Sequence, residues 1–208
     1  MKICNNAETF LTTLTSQSPT YRVKLTSGVM TGLAVYYRLL DEWNPRLHLV
    51  APCTPAEFAT RHILESLLLL NFLPAGVAVI DVGSGGGLPL VPCLIARPDL
   101  RAVLIESSKK KSVFLRKALK RTRTENSAKV LAERFENVAG LEADFVTCRA
   151  LDRFANKLTN LIEWAPRSAT LLLYGGNSLR EKLQQLGIGF EAQVLPNSNQ
   201  RFLFTVRK

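Results

Sequence analysis

A glycine-rich stretch, Asp81-Val82-Gly83-Ser84-Gly85-Gly86-Gly87-Leu88-Pro89, constrains the fold of this chain more than any other part of its sequence. It follows the β-branched apolar run 77–80 and precedes a stretch, 91–96, that favours a helix. A strand, a glycine turn and a helix in this order form the unit with which α/β domains bind nucleotide-like ligands. Glycine lets the backbone turn sharply and bring its N–H groups close to a ligand. The stretch therefore predicts an α/β fold with a ligand at the turn, although adjacent glycines also suit a turn that is merely tight.

The spacing of the glycines narrows the choice of ligand. The dinucleotide fingerprint Gly-x-Gly-x-x-Gly requires a glycine where this chain has Leu88. A phosphate-binding P-loop is excluded because no Gly-Lys-Ser/Thr follows. The pattern that is present, Asp-x-Gly-x-Gly-x-Gly from Asp81 to Gly87, resembles motif I of S-adenosylmethionine-dependent methyltransferases. That resemblance implies a turn that holds the ribose and amino acid parts of the cofactor.

Glu106 is the second element of this predicted site. It ends an apolar strand, 102–105, about 20 residues past Gly85, the spacing at which an acidic partner of such a turn is expected. A carboxylate at the tip of the neighbouring strand can accept hydrogen bonds from both ribose hydroxyls. Alone, Glu106 could be an ordinary solvated residue. Paired with the glycine turn, it predicts a nucleoside-binding pocket.

Composition excludes several other classes of protein. The 208 residues are 47% hydrophobic, which suits one α/β domain with a modest extension. The four cysteines are scattered and neither histidine accompanies a nucleophile, so we expect no metal site, no disulfide framework and no hydrolytic triad. No apolar run reaches the ~20 residues of a membrane span, and the N-terminus lacks the features of a secretory signal. A cytoplasmic protein that does not enter membranes is expected.

The charge of the chain predicts a polyanionic partner. Its net charge is +10 and its pI is about 9.8. Nucleic acid is the commonest partner of such a domain and a membrane surface is the next, although some basic proteins have neither. Three lysines, 109–111, begin the helix after Glu106, where they oppose the helix dipole by about 0.3–1 kcal/mol each. We expect them to contact RNA phosphates, the alternative being a solvated basic face.

The first 74 residues are predicted to form a helical cap. Residues 1–25 show little periodicity and suggest a loose or short-helical start. From Val29 the apolar residues follow one helix face, and Asn44-Pro45 is expected to end that helix. Thr54-Pro55-Ala56-Glu57 reads as a capping box that opens a helix lasting until Pro74. We therefore expect one methyltransferase domain over 1–208, with a cap over 1–74 and a cofactor-binding α/β core over 75–208.

The rest of the chain predicts the remaining strands. They are expected at 129–132, 144–148 and 169–174, with a closing antiparallel hairpin over 190–195 and 201–206. Together they make a mostly parallel seven-stranded sheet that looks like the methyltransferase variant of the Rossmann fold. Arg134 and Arg149 follow the third and fourth strands and so fall at the ligand-binding edge. There they are expected to contact cofactor or substrate, the alternative being surface salt bridges of little consequence.

At this point the residues resemble one family, the bacterial small-subunit ribosomal RNA methyltransferase G, also called glucose-inhibited division protein B. The matching residues are Trp43-Asn44, Leu47, Leu49, Arg61 to Leu67, Asp81 to Pro89, Pro92, Glu106-Ser107, Lys110-Lys111, Phe114-Leu115, Arg134, Glu136, Asp144, Val146 and Arg149-Ala150. The resemblance implies methyl transfer from S-adenosylmethionine to N7 of a guanine in 16S rRNA, alone or in a precursor of the small ribosomal subunit. A monomer is expected.

The same resemblance implies roles for particular residues. Its cofactor-binding residues would be Gly83, Gly85, Leu88, Glu106, Phe135, Glu136 and Arg149. Arg134 and Arg149 are the candidates for catalytic roles, Arg134 by holding the RNA or ordering the site. No general base is needed, because guanine N7 has a lone pair and no proton.

Two residues depart from the family pattern. Leu90 stands where the family usually has glycine, and Tyr174 stands where it usually has lysine. If that lysine grips the substrate, Tyr174 would have to do so by stacking or hydrogen bonding. Two alternatives therefore stay open: a non-catalytic RNA-binding relative that keeps the cofactor pocket, and a small-molecule methyltransferase.

Overall fold

A seven-stranded sheet runs through the centre of the computed structural model, which describes residues 2–149 and 157–208. The strand order is β3-β2-β1-β4-β5-β7-β6, and β7 is antiparallel to both β5 and β6 while the other pairs are parallel. This confirms the predicted fold, including its closing hairpin. The strands are β1 Ala78–Val82, β2 Arg101–Ile105, β3 Ala128–Leu131, β4 Phe145–Arg149, β5 Thr170–Gly175, β6 Glu191–Val194 and β7 Phe202–Val206.

The register of the central strands brings the predicted site residues to one edge. Val82, at the end of β1, pairs with Ile105 on β2 and with Cys148 on β4. The chain therefore leaves these parallel strands at the same edge of the sheet, which places the glycine turn, Glu106 and Arg149 side by side. Ala150, part of the family's Arg-Ala pair, lies outside the described residues.

Helices cover both faces of the sheet. They are α1 Lys2–Gln17, α2 Ser27–Leu47, α3 Pro55–Glu57, α4 Glu65–Leu67, α5 Leu90–Ala96, α6 Lys109–Thr122, α7 Leu158–Trp164 and α8 Asn177–Gln185. One apolar core joins the N-terminal helices, α5 and α6 to one face of the sheet. A second core packs α7 and α8 against the other face. The N-terminal segment and the glycine turn therefore share a core.

Of the two expected forms of the N-terminus, loose or short-helical, the structure shows a helix, and a longer one than expected. The helix α1 has 16 residues, and its Phe10 and Leu14 are completely buried at the helical spacing of four. Its threonines donate back to carbonyls one turn earlier, as Thr13 does to Thr9. Such bonds let polar residues remain inside a helix that packing holds in place. The sparse apolar stripe was too short to be recognised by periodicity.

The expectation that Asn44-Pro45 ends the second helix was wrong. The helix α2 continues through Pro45 to Leu47. A proline costs one backbone hydrogen bond, and here that loss falls in the last turn. The turn is closed by His48, which is left-handed and donates its N–H to the Asn44 carbonyl, while the Asn44 side chain accepts from the Val50 N–H.

The helical run over residues 55–71, called the mixed helix below, begins as predicted and then changes character. Thr54 and Glu57 form the expected capping box, with Pro55 in the first turn. From Phe58 to Leu64 the run is a π-helix, and from Leu68 to Asn71 it is a 3-10 helix. π-Helical turns are rare and occur often at functional sites. Arg61 and His62 lie within this one.

Candidate functional site

The glycine turn opens onto solvent where a ligand would lie. Gly83, Gly85 and Gly87 all have positive φ, at 72°, 54° and 87°. At Gly87 a side chain would collide with Val91, at 2.5 Å, so that glycine serves the packing of the turn. At Gly83 a Cβ would meet nothing within 4 Å. The turn is therefore tightly packed at Gly87 and open to solvent at Gly83, which favours a binding role over a merely structural one.

Glu106 points at the glycine turn, as the sequence predicted. One oxygen of its carboxylate accepts from the Gly85 N–H at 2.8 Å, and the other accepts from the Ser108 N–H at 2.7 Å. These backbone bonds fix the orientation of a side chain that is largely buried. Each carboxylate oxygen can accept a second hydrogen bond. The geometry therefore suits a pair of ribose hydroxyls, and this role stays a prediction.

A cavity of about 200 Å³, called the first cavity below, lies in front of the turn. Its floor is apolar because Val82, Ile105 and Cys148 come from the ends of three adjacent strands. Five predicted site residues line it: Gly83, Arg134, Phe135, Glu136 and Arg149. The other lining residues, which were not among the predicted site residues, are Val82, Ile105, Ser107, Glu133, Cys148, Lys157 and Leu161.

An aromatic contact, an ion pair and an exposed arginine form the rim of the first cavity. Phe135 belongs to a single 3-10 turn, Phe135–Asn137, and its ring meets Trp164 edge to face at 5.4 Å. Glu136 forms an ion pair with Lys157 at 2.8 Å. Burial acts to raise the pKa of Glu136, but hydrogen bonding and the positive charge of Lys157 outweigh it and lower that pKa. Arg134 is exposed beside them. An apolar slot with a charged rim results.

The remaining predicted residues lie outside the lining of the first cavity. Leu88 is buried in the core behind the turn, and its bond to Pro89 is cis. The Gly85 N–H donates to the Glu106 carboxylate, so these two residues lie together at one side of the turn. The assignment of Leu88, Gly85 and Glu106 to a cofactor site stays a prediction.

Arg149 lies on the wall of the first cavity, but its hydrogen bonds run to the mixed helix. It donates to the Arg61 carbonyl at 2.5 Å, to the Ser66 hydroxyl at 3.3 Å and to the Glu65 carboxylate at 3.3 Å. These bonds tie the end of β4 to the π-helical turn. Arg149 is therefore held in place before any ligand arrives.

Glu65 belongs to the segment that matches the family, but the sequence analysis gave it no role. Its carboxylate is 1% exposed and lies between two guanidinium groups, at 2.7 Å from Arg201 and 3.3 Å from Arg149. Burial raises the pKa of Glu65, and the two arginines oppose that rise. A signal was present, because Glu65 interrupts a run of buried apolar residues that includes Ile63, Leu64 and Leu67. A charge in such a run indicates a buried ion pair.

A second cleft, of about 540 Å³, lies between the mixed helix and the β6–β7 turn. Its residues are Arg61, Glu65, Arg149, Tyr174, Gly175, Gly176, Leu195, 197–200 and Arg201. Like the first cavity, it opens near the end of β4. Arg149 lines both spaces.

The two departures from the family pattern have structural roles. Tyr174 is buried, donates its hydroxyl to the Glu65 carbonyl at 2.9 Å and has the Arg149 guanidinium over its ring at 5.6 Å. It therefore braces the mixed helix, and since it also lines the second cleft, its contact with the substrate stays a prediction. Leu90 begins α5 and lies completely within the core.

Asp81 is a buried charge behind the turn. Neither of its carboxylate oxygens has a hydrogen-bond partner among the described residues, and the same is true of the neighbouring Thr147 hydroxyl. Burial raises the pKa of Asp81 to about 7. Near neutral pH this group favours a cation close to the turn.

His62 cannot act as a base here in the usual pH range. Burial, together with Arg149 and Arg61, lowers its pKa to about 3. Over residues 2–149 and 157–208 there is no cluster of three His, Cys, Asp or Glu side chains that could hold a metal. No helix in the same part of the chain has the length and apolarity needed to cross a membrane.

Comparison with known proteins identifies relatives of this chain. A sequence model described as "rRNA small subunit methyltransferase G" matches residues 30–203. Ribosomal RNA small subunit methyltransferase G from Neisseria gonorrhoeae is 37% identical over 69% of this chain and 66% of that protein. Its namesake from Xanthomonas axonopodis pv. citri is 36% identical over 83% of this chain and 84% of that protein. A precorrin-6y methyltransferase from Geobacter metallireducens shares the fold, with a TM-score of 0.54 at 15% identity over 70% of this chain and 87% of that one.

Proposed function

This chain belongs to the rRNA small subunit methyltransferase G family, and we propose that it transfers a methyl group from S-adenosylmethionine to N7 of a guanine in 16S rRNA. The observation that carries this proposal is the Glu106 carboxylate, fixed against the Gly85 N–H at the edge of an apolar cavity. We take the substrate as 16S rRNA or a precursor of the small ribosomal subunit, and the chain as a monomer.

The residues of the first cavity suit the three parts of S-adenosylmethionine. Val82, Phe135 and Leu161 offer apolar surface for the adenine. Glu106 has acceptor positions left for the ribose hydroxyls, and the open backbone at Gly83 leaves room for the amino acid part. The buried Asp81, whose pKa is raised to about 7 by burial, adds negative charge behind the turn when it is ionised, and that charge favours a cofactor carrying a sulfonium and an ammonium group.

The chain's own residues would catalyse the reaction by alignment. When bound, S-adenosylmethionine supplies a methyl group on a positively charged sulfur. Guanine N7 has an in-plane lone pair and no proton, so the site needs no general base, and the neutral His62 is no obstacle. Arg149, anchored to the mixed helix, would fix one side of the reaction site, and the exposed Arg134 would hold RNA at its rim. Fixed geometry of donor and acceptor can supply much of the rate.

A basic helix end provides a surface for the RNA backbone. Ser108 caps α6 by accepting from the Lys111 N–H, and Lys109 and Lys110 are exposed directly after it. They lie a few residues past Glu106, at the ligand edge of the sheet. Positive charge there disfavours the helix and favours an approaching phosphate.

The proposal is tested by methyl transfer. Small ribosomal subunits that lack the modification are incubated with labelled S-adenosylmethionine and the protein, and the modified base is mapped. Label on one guanine N7 of 16S rRNA is expected. Cofactor binding without transfer would instead support a non-catalytic RNA-binding relative, and transfer to small molecules alone would support the remaining alternative.

The glycine turn itself is tested by Gly85→Val. A branched side chain at φ +54° strains the turn, so we expect S-adenosylmethionine affinity to fall by at least about tenfold. Gly187→Val introduces the same strain at φ +66° in the loop after α8, away from the cavity, and serves as the control. Calorimetric titration checks both variants. Unchanged cofactor affinity in Gly85→Val would remove the turn from the site.

A further inference from the structure

The second cleft adjoins the first cavity through a single side chain. Among the described residues, Arg149 alone lines both spaces. A methyl acceptor must reach the donor directly, so its site has to share a wall with the cofactor's site. The second cleft meets that condition.

The charged groups of the second cleft favour an anion. Arg61, Arg149 and Arg201 supply three positive charges, and Glu65 supplies one negative charge. The buried Glu65 carboxylate holds Arg149 and Arg201 apart at fixed positions, so they cannot turn away into solvent. Guanidinium groups that are fixed in this way on the wall of a cleft are suited to a phosphate.

The turn between β6 and β7 supplies a different chemistry to the same cleft. It carries Asn197, Ser198, Asn199 and Gln200 in succession. Asn197 is left-handed, and the Ser198 hydroxyl accepts from the N–H groups of Gln200 and Arg201, so the turn has a defined shape. Amide side chains offer both donors and acceptors to a base edge.

The reaction restricts which edge of a guanine can be recognised. Arginine commonly reads guanine by a fork to O6 and N7. An enzyme that methylates N7 must leave that atom facing the donor, so recognition has to fall on the opposite edge, where guanine has N–H donors. Amide oxygens in the turn over 197–200 are acceptors of the required kind.

We propose that the second cleft is the site of the acceptor nucleotide, with its phosphate on Arg61 and Arg201 and its base against the amide turn, so that N7 faces the first cavity beside Arg149. Glu65 is the positioning residue that holds Arg149 and Arg201 for this purpose. The inference rests on the proposed function, and it adds the place and the contacts of the guanosine phosphate unit of the RNA.

The test uses guanosine 5′-monophosphate as the probe, titrated into the full-length protein. In Arg61→Gln, which changes an exposed side chain, we expect its affinity to fall by about tenfold, the cost of one charged hydrogen bond. Arg207→Gln is the matched control, because Arg207 is exposed and pairs with Glu191 outside the cleft. Guanosine, which lacks the phosphate, should bind wild type and Arg61→Gln equally. Equal affinity of both proteins for the monophosphate would overturn the proposal.

A second arm distinguishes an RNA site from a site for free nucleotides. Unmodified 16S rRNA should displace the monophosphate from the wild-type protein; failure to displace it would overturn the assignment to the RNA acceptor. Affinity for S-adenosylmethionine is measured in each variant and should not change. Absence of methyl transfer by the wild-type protein would refute the proposed function alone, since binding in the cleft is read without turnover.

Discussion

Glu65 is a buried carboxylate that connects several elements of the structure. Its side chain pairs with Arg149 and Arg201, and its carbonyl accepts from Tyr174, so it joins β4, β5, the β6–β7 turn and the mixed helix. Breaking a buried ion pair from one side leaves uncompensated charge. The stability of this corner of the molecule therefore depends on Glu65.

We expect Glu65→Ala to lower the free energy of unfolding by about 3 kcal/mol or more, because two partly buried guanidinium groups lose their counter-charge. Glu191→Ala is the control, since its pair with Arg207 is exposed and such pairs contribute about 0–1 kcal/mol. Urea unfolding of both variants checks this. Similar small losses in the two variants would contradict a buried, stabilising position for Glu65.

Asp81 should make stability fall with rising pH. Its pKa is about 7 in the folded chain and 3.8 when unperturbed. Between these values the unfolded chain releases a proton that the folded chain keeps, so the unfolded state gains. Asp81→Asn cannot titrate, and other groups, His62 included, are the same in both proteins.

The expected result is a stability difference that grows with pH. Relative to wild type, Asp81→Asn should gain about 4 kcal/mol between pH 4 and pH 8, most of it below pH 7, at about 1.4 kcal/mol for each pH unit. Denaturant unfolding of the ligand-free proteins across this range measures it. A difference that does not vary with pH would show that Asp81 ionises normally.

At the scale of elements, helix α2 supports the glycine turn. The buried Tyr36 hydroxyl donates to the Gly86 carbonyl at 2.6 Å, and Leu40 and Leu49 pack on Gly86. The position of the cofactor-binding backbone is therefore set partly by a helix that lies some 50 residues earlier in the chain.

Tyr36→Phe should lower the free energy of unfolding by about 1–2 kcal/mol, because a buried carbonyl loses its donor. S-adenosylmethionine affinity should fall with it. Tyr37→Phe is the matched control on the same helix: the Tyr37 ring stacks on Phe10 at 4.4 Å, and its hydroxyl bonds to no other described residue. If the two variants behave alike in both measurements, the contact with Gly86 has no special role.

The elements also show what could be predicted from the sequence. Strands β1 to β5, the closing hairpin and the capping box at Thr54 follow from apolar runs and local turn chemistry, which neighbouring residues determine. The π-helical turn over Phe58–Leu64 could not be predicted from local sequence. Its Arg61 carbonyl accepts a hydrogen bond from Arg149, which lies some 90 residues later in the chain. Five lining residues of the first cavity could be predicted, because they follow strand ends or match a family pattern: Gly83, Arg134, Phe135, Glu136 and Arg149. The role of Glu65 could not be predicted in this way, because its ion-pair partners are distant in sequence.

At the scale of the whole molecule, the charge of +10 should govern association with RNA. We expect reversal of Lys109 and Lys110 to Glu to weaken binding to 16S rRNA and to reduce the salt dependence of that binding, with S-adenosylmethionine affinity unchanged. Reversal of Lys120 and Arg121, in the last turn of the same helix, is the control for net charge. Binding isotherms over a salt series measure both. Equal losses in the two variants would indicate a general field and no specific phosphate contact.

Because the first helices share one core with the sheet and Tyr36 bonds to Gly86, we expect that the cofactor-binding half does not fold without them. A shortened chain that started at β1 would contain every predicted cofactor-binding residue. One apolar face of its sheet would nevertheless be exposed to water. A minimal version of this protein would therefore have to keep its N-terminal helices.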